Sequence, residues 1–314
     1  ITMSSKNKIL VTGAAGFIGS HLVEYLLNKK YNVIGFDRYN SNDDWGWLEK
    51  LKNFKNFEFI LGDIRDYDSV YNAVKKCDNV FHLAALIGIP YSYISPTAYV
   101  KTNVEGTLNV LEASRNLKIR QILVTSTSEV YGTAKKQKLS EEDKLVAQSP
   151  YAATKISADQ LALSYWRSFK TPITVIRPFN TYGPRQSLRA VIPSIALQII
   201  NKSSVNIGSL GPKRDFTYVE DIPSAFIQAI KHIETINLKK EINICSGTYS
   251  RISEVISILE TILNRDARIS YKTNDIKPHK SSSFKVAKDE LGWEPVTSLE
   301  DGLLKTVNYY KGLI

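Results

Sequence analysis

Tyr151 and Lys155 stand one helical turn apart in Tyr151-Ala152-Ala153-Thr154-Lys155, so in a helix both side chains leave the same face. An ammonium beside a phenol lowers its pKa and makes it a usable base near neutral pH. Upstream, Thr125-Ser126-Thr127-Ser128-Glu129-Val130-Tyr131-Gly132 supplies a hydroxyl in Thr127 and a carboxylate in Glu129. Hydride chemistry on a carbinol needs little beyond the phenol, the ammonium and the hydroxyl. Glu129 is surplus to that step, and a surplus acid–base group points to a second one.

The elements that must position these groups read as alternating strands and helices. Lys8–Thr12 is a compact β-run entering Gly13-Ala14-Ala15-Gly16-Phe17-Ile18-Gly19. Ile18, Leu22, Tyr25 and Leu26 then recur at helical spacing as far as Lys29. Asn32–Asp37, Phe57–Leu61, Asn79–Leu83, Gln121–Thr125 and Ile173–Arg177 read as further strands, with helical patterns over Asp66–Lys76, Thr97–Asn116 and Pro150–Phe169. This alternation predicts an α/β fold built on a doubly wound parallel sheet of Rossmann type. After Arg177 it becomes irregular, and Gly183-Pro184, Gly208, Gly211-Pro212 and Lys277-Pro278 mark loops. Ser224–His232 and Glu241–Ile244 read as a helix and strand that rejoin the sheet. Ser253–Leu263 and the segment from Leu299 read as amphipathic helices of a smaller C-terminal lobe. The expected domains are a dinucleotide-binding domain at 3–180, rejoined by about 215–246, and a lobe at about 181–214 and 247–314.

Gly13-x-x-Gly16-x-x-Gly19 follows a strand and opens a helix, where glycines permit a tight turn and a close backbone approach to a pyrophosphate. Phe17 and Ile18 lie within that turn. Asp37 closes the second strand, where an acid can accept hydrogen bonds from an adenosine ribose. A carboxylate repels a 2′-phosphate, so NAD is expected ahead of NADP, although the Arg38 guanidinium next to it could bind that phosphate. Asp63-Ile64 ends the third strand, as an adenine-flanking pair or as a turn-initiating Asp. Leu83, Ala84 and Ala85 supply small residues after the fourth strand, and His82 before them reads as a packed core imidazole.

A chain of 314 residues with 43% hydrophobic and 23% charged residues has ample core for a soluble globular protein. No apolar run approaches the ~20 residues needed to span a bilayer. The polar, short N-terminus shows no secretory signal; Met3, the single methionine, is the expected native start, with Ile1-Thr2 an expression scar. Cys77 and Cys245 are expected as reduced thiols of a cytoplasmic protein. Lys+Arg 41 against Asp+Glu 31 gives +10, but the lysines are scattered, with denser spots only at Lys135-Lys136-Gln137-Lys138 and Lys239-Lys240. That pattern favours an anionic small-molecule substrate over a nucleic-acid surface. No metal site, nucleic-acid partner or membrane partner is expected.

Taken together, these segments resemble the extended short-chain dehydrogenase/reductases that act on nucleotide sugars, over nearly the whole chain. The matching pieces are Thr12–Gly19, Asp37, Asp63, His82–Ala85, Asn103-Val104-Glu105-Gly106-Thr107, Thr125–Gly132 and Tyr151–Lys155. Further matches are Arg177-Pro178-Phe179-Asn180-Thr181-Tyr182-Gly183-Pro184-Arg185 and Arg214-Asp215-Phe216-x-Tyr218-Val219-x-Asp221. The resemblance implies that Tyr151 removes a sugar C4 hydroxyl proton as hydride passes to NAD, that Thr127 hydrogen-bonds that oxygen, and that Lys155 holds the cofactor ribose. It implies diphosphate contacts from Asn180 and Arg214, with Arg185 and Lys277 as weaker counterparts, and a homodimer through the helices at Thr97–Asn116 and Pro150–Phe169.

Ser128-Glu129 sorts the activities within this family. It resembles the 4,6-dehydratases, in which Glu129 would abstract the C5 proton and Ser128 or Glu129 itself would serve the departing water. UDP-glucuronate decarboxylases share the Thr-Ser-Glu pattern, and 4-epimerases need no C5 base. Trp45-Gly46-Trp47-Leu48 within Tyr39–Glu49, and the run Arg185–Pro193, look like dehydratases of the bacterial legionaminic-acid pathway, which act on GDP-N-acetylglucosamine. The expected protein is thus a lyase acting on a GDP- or UDP-linked N-acetylhexosamine. Decarboxylase, 4-epimerase and an RNA-binding scaffold on the same fold are the alternatives.

Overall fold

Seven short segments pair side by side: the inner strands are buried and can satisfy their backbone only against a neighbouring strand, while the edge strand Phe57–Gly62 is half-buried throughout. In the computed structural model, which describes residues 8–133, 138–202, 204–232, 241–273 and 281–313, these are β1 (Lys8–Thr12), β2 (Asn32–Arg38), β3 (Phe57–Gly62), β4 (Asn79–His82), β5 (Gln121–Thr125), β6 (Ile173–Pro178) and β7 (Glu241–Ile244). Met3, Lys135, Lys136, Gln137, Lys239, Lys240 and Lys277 lie outside the described residues. The sheet order is β7-β6-β5-β4-β1-β2-β3. The pairings of β1 with β2 and β4, β2 with β3, β4 with β5 and β5 with β6 are parallel. The order reverses between β1 and β4, and ligands of doubly wound folds bind at the carboxyl ends of the strands beside such a point.

The chain divides into two compact units. The first comprises Ile1–Gly132, Lys144–Arg177 and Pro223–Ile242. Its core packs Leu10, Ile34, Val80, Ile122 and Val175 of the sheet against Val70, Val74, Val110, Leu111 and Leu163 of the covering helices. Each such fully buried side chain contributes about 1.5–3 kcal/mol of hydrophobic stabilisation. The helical stretch read as continuous over Thr97–Asn116 is Pro96–Tyr99, a π-helical segment Val100–Glu105, and Gly106–Asn116. The wide segment contains the buried Asn103, whose amide donates to Leu86 O and accepts from Leu86 N. Widened turns of this kind mark helices that serve a site as well as a core.

The second unit comprises Thr133–Asp143, Pro178–Ile222 and Asn243–Ile314. Its helices Val191–Lys202, Ile252–Leu263 and Leu299–Lys311 accompany a parallel pair of strands, Ser204–Ser209 and Arg268–Thr273. Asp221 ties the 296–297 segment down by accepting from Val296 N, Thr297 N and Thr297 Oγ1, so a buried carboxylate satisfies three donors at once.

Two glycines of the first unit are dictated by geometry. Gly13 adopts φ +69, and a Cβ there would lie 2.8 Å from Ala84 N. A Cβ on Gly19 would lie 2.1 Å from Gly13 O, a backbone atom that cannot move without opening the turn. Gly19→Ala should therefore lower the urea midpoint by an amount equivalent to about 1–3 kcal/mol. Gly208→Ala, whose Cβ would meet nothing within 4 Å, should not lower it. Equal midpoints for the two variants would contradict this account of the turn.

Candidate active site

The helix Pro150–Phe169 begins where its sequence requires: Ser149 caps it by accepting from Ala152 N at 3.1 Å, and proline occupies its first turn. Tyr151 consequently sits in the first turn, near the positive end of the helix dipole. Three residues spaced by four along one stripe of this helix grip three consecutive residues at the end of β5. Tyr151 hydrogen-bonds the Thr127 hydroxyl. Lys155 Nζ donates to Thr125 O at 2.6 Å, and Asp159 Oδ2 accepts from Ser126 Oγ at 2.8 Å. Thr127 also caps the short helix Ser128–Tyr131 by accepting from Glu129 N at 3.2 Å. Thr127, Ser128 and Glu129 are half-exposed, whereas Tyr151 and Lys155 are buried, so the helix closes the back of the site and the Thr-Ser-Glu turn forms its wall.

Burial pushes the Tyr151 phenol well above its ordinary range, and the Thr127 hydrogen bond is the leading influence in the other direction. The Glu129 carboxylate is near enough to add to the upward shift. Burial also lowers the Lys155 ammonium, and the Asp159 carboxylate opposes it. Tyr99 presents its ring edge-on to Tyr151 with centroids 6.3 Å apart. His82 is a neutral buried imidazole, pushed down to about 3 by burial and by the Lys155 charge. Thr107 spends its proton on Asn103 O, so His82 Nε2 donates to Thr107 Oγ1 and Nδ1 accepts from Thr12. Thr12 Oγ1 then accepts from Leu83 N and Ala84 N, while Asn103 Nδ2 donates to Thr154 Oγ1 on the helix Pro150–Phe169 at 3.0 Å. One hydrogen-bonded chain thus runs from β1 through β4 to the helix that carries Tyr151.

The glycine turn is built to receive an anion. Gly16 is the N-cap of the helix Phe17–Asn28 and offers no side-chain cap, so the first amides of the helix keep their polarity for a ligand. Asp37 Oδ2 accepts from Ala15 N at 2.7 Å and Oδ1 from Arg38 N at 2.7 Å, and burial raises its carboxyl. Phe17 and Ile18 are half-buried beside this turn, and Leu83, Ala84 and Ala85 leave β4 against Gly13. Asp63 is engaged by Arg65, whose Nη2 lies 2.6 Å from Oδ2, and starts a turn in which its carbonyl accepts from Asp66 N. Ile64 packs under Gly106. The bare helix start and the carboxylate at the end of β2 fit a dinucleotide.

Within the second unit, Asn180 and Arg214 line one cavity of about 390 Å³ together with Gln186, Ile207, Ser209 and Phe216. Gln186 Oε1 and Ser209 Oγ have no hydrogen-bond partner among the described residues, which suits a polar ligand there. Arg185, at φ +68, is not among the residues lining this cavity.

A family model described as GDP-mannose 4,6 dehydratase matches residues 10–306. The chain belongs to that family. It is 34% identical over 96% of its length to the UDP-glucuronate 4-epimerase of Thermodesulfobacterium geofontis, covering 95% of that protein. Its structure resembles the UDP-glucuronic acid 4-epimerase of Bacillus cereus in complex with UDP-glucuronic acid and NAD, at TM-score 0.88 and 33% identity over 98% of this chain and 100% of that one. It also resembles the dTDP-glucose 4,6-dehydratase of Bacillus anthracis in complex with NAD, at TM-score 0.87 and 28% identity over 98% and 97% of the two chains. The chain is thus an enzyme of the NAD-dependent nucleotide-sugar dehydratase/epimerase family, with the Rossmann-like sheet of its relatives. No described helix of this family member is long and apolar enough to cross a membrane.

Sequence reading passed over Asp159 and quoted Arg177 only within a matching motif, with no role of its own. Both left a signal: a carboxylate on the buried stripe of a helix, and a guanidinium ending the apolar run Ile173-Thr174-Val175-Ile176. Asp37→Ala removes the acceptor for Ala15 N and for a ribose, and should raise the Kd for NAD about tenfold by calorimetry. An unchanged Kd would detach Asp37 from the cofactor.

Proposed function

We propose that the protein is a nucleotide-sugar 4,6-dehydratase acting on an N-acetylhexosamine nucleotide, GDP- or UDP-N-acetylglucosamine. The observation that carries this reading is Glu129, whose carboxylate acts on the Tyr151 phenol and for which oxidation at C4 alone has no use. The glycine turn with Asp37, Arg38, Asp63, Ile64, Leu83, Ala84 and Ala85 would hold NAD, which when bound would supply the hydride acceptor for C4 and the hydride donor for C6. Tyr151 accepts the C4 hydroxyl proton, Thr127 hydrogen-bonds the same oxygen, and Lys155 holds the ribose and stabilises the tyrosinate. A ketone at C4 acidifies the C5 proton, which Glu129 removes as the C6–O bond breaks. That proton leaves with the C6 hydroxyl as water, with Ser128 as relay, and the proton held by Tyr151 balances the one that C5 receives. Asn180 and Arg214 hold the diphosphate, with Arg185 and Lys277 as the weaker candidates that the resemblance implies.

The resemblance to legionaminic-acid-pathway dehydratases supports the N-acetylhexosamine. The exposed Val100, Leu108 and Phe169 on the helical segments spanning 96–116 and 150–169 support a homodimer. Cys77 and Cys245, both free, are in keeping with a cytoplasmic enzyme. Similarity to the two UDP-glucuronate 4-epimerases favours a second reading, 4-epimerisation, in which the ketone is reduced from the opposite face and Glu129 is idle.

Incubation with GDP- and UDP-N-acetylglucosamine should give, by mass spectrometry, a product lacking one water with no net consumption of NAD. A product of unchanged mass inverted at C4 would favour the epimerase, and CO2 from UDP-glucuronate with neither hexosamine dehydrated would sink the proposal. Glu129→Gln should still oxidise C4 slowly, while elimination falls by at least ~10²-fold. Normal turnover of that variant would remove Glu129 from the chemistry.

A further inference from the structure

The third member of the helical stripe, Asp159, has no part in the chemistry proposed above, yet it is fully buried and ion-paired with Arg177. Its Oδ2 accepts from Ser126 Oγ at 2.8 Å, Arg177 Nε at 3.2 Å and Arg177 Nη2 at 3.0 Å. Arg177 is also wholly buried; it donates to the Tyr131 phenol at 3.0 Å, stacks its guanidinium over that ring at 5.2 Å, and reaches Glu241 at 3.4 Å. Inside the protein an isolated ammonium loses its proton rather than stay charged, and Lys155 has one carbonyl partner there.

We propose that Asp159, clamped by Arg177, is a positioning residue: it is the countercharge of the Lys155 ammonium and the anchor of Ser126, and so fixes Thr127 against Tyr151. Arg177 holds Oδ2 of the carboxylate with two nitrogens, Oδ1 has no hydrogen-bond partner among the described residues, and Lys155 Nζ is bonded to Thr125 O. Ser126 stands between the residues that Lys155 and Tyr151 grip, so its hydroxyl sets the path of the chain into Thr127. The charged and titratable groups facing this cluster are Lys155 and Tyr151 on the same helix, Arg177 on β6, Tyr131 and Glu129 on the Thr-Ser-Glu turn, Glu241 on β7, Tyr99, and His82 on β4.

This inference rests on Tyr151 as proton acceptor, and its test needs no sugar. Removing the anion lowers the pKa of both neighbours, because Asp159 acts upward on Lys155 and on Tyr151. In Asp159→Asn, the tyrosinate ultraviolet band that disappears on Tyr151→Phe should titrate about one pH unit lower than in the parent protein. With whichever sugar nucleotide the parent turns over, the alkaline loss of kcat/KM should move down by a similar amount as Lys155 gives up its proton earlier. Ser126→Ala keeps the charge and should leave the Tyr151 titration in place while kcat falls about tenfold.

A Tyr151 titration and alkaline limb unmoved in folded Asp159→Asn, with kcat alone reduced, would make Asp159 a structural residue only. Should Asp159→Asn yield too little folded protein, Ser126→Ala decides: kcat within twofold of the parent overturns the proposal. Absence of turnover on every sugar nucleotide would count against the dehydratase reading and leave the tyrosinate titration to judge Asp159.

Discussion

An ammonium with almost no exposed surface has to be matched by charge and hydrogen bonds, or it will not stay an ammonium. Lys155 is that group, and the surrounding architecture follows from satisfying it. Its hydrogen bond goes to the last carbonyl of β5, its countercharge comes from one turn further along its own helix, and that countercharge is held in turn by the guanidinium ending β6. A buried ion pair adds little net stability, but losing one partner strands the other at a cost of several kcal/mol. The arrangement therefore enforces register: a helix shifted by one residue would leave an ammonium, a carboxylate and a guanidinium unmatched together.

Two supports converge on the same helix from opposite sides. Asp159 and Arg177 hold it to β5 and β6, while the relay through Thr12, His82, Thr107 and Asn103 reaches Thr154 from the side of β1 and β4. His82 serves that relay as a neutral donor and acceptor, which its depressed pKa protects across any physiological pH. Side chains held this way keep their geometry without a ligand, the usual condition for efficient positioning.

Much of the fold was legible in the sequence because local chemistry and long-range packing agree there. Pro150 marks the start of the helix that carries Tyr151, and the apolar runs of β1, β5 and β6 announce buried strands. The glycine turn before its helix and Asp37 near the end of β2 were equally readable as local structure. The π-helical segment at Val100–Glu105 was not, because a widened turn leaves the apolar spacing almost unchanged and is decided by where Asn103 must reach. Trp45, quoted in the sequence only for the resemblance it carries, packs its ring on Phe59 at 4.8 Å and edge-on to Phe57, with Lys52 above it. Asp159 escaped notice and Arg177 was given no role because partners in space, not in sequence, make a buried charge tolerable.

The helix that follows the glycine turn starts without a side-chain cap. A helix that withholds its own cap leaves its first amides short of acceptors until a phosphate supplies them. The coenzyme then acts as a missing piece of secondary structure as well as a reagent. Its occupancy and the folding equilibrium become linked, so each bound dinucleotide carries part of the protein's resistance to heat.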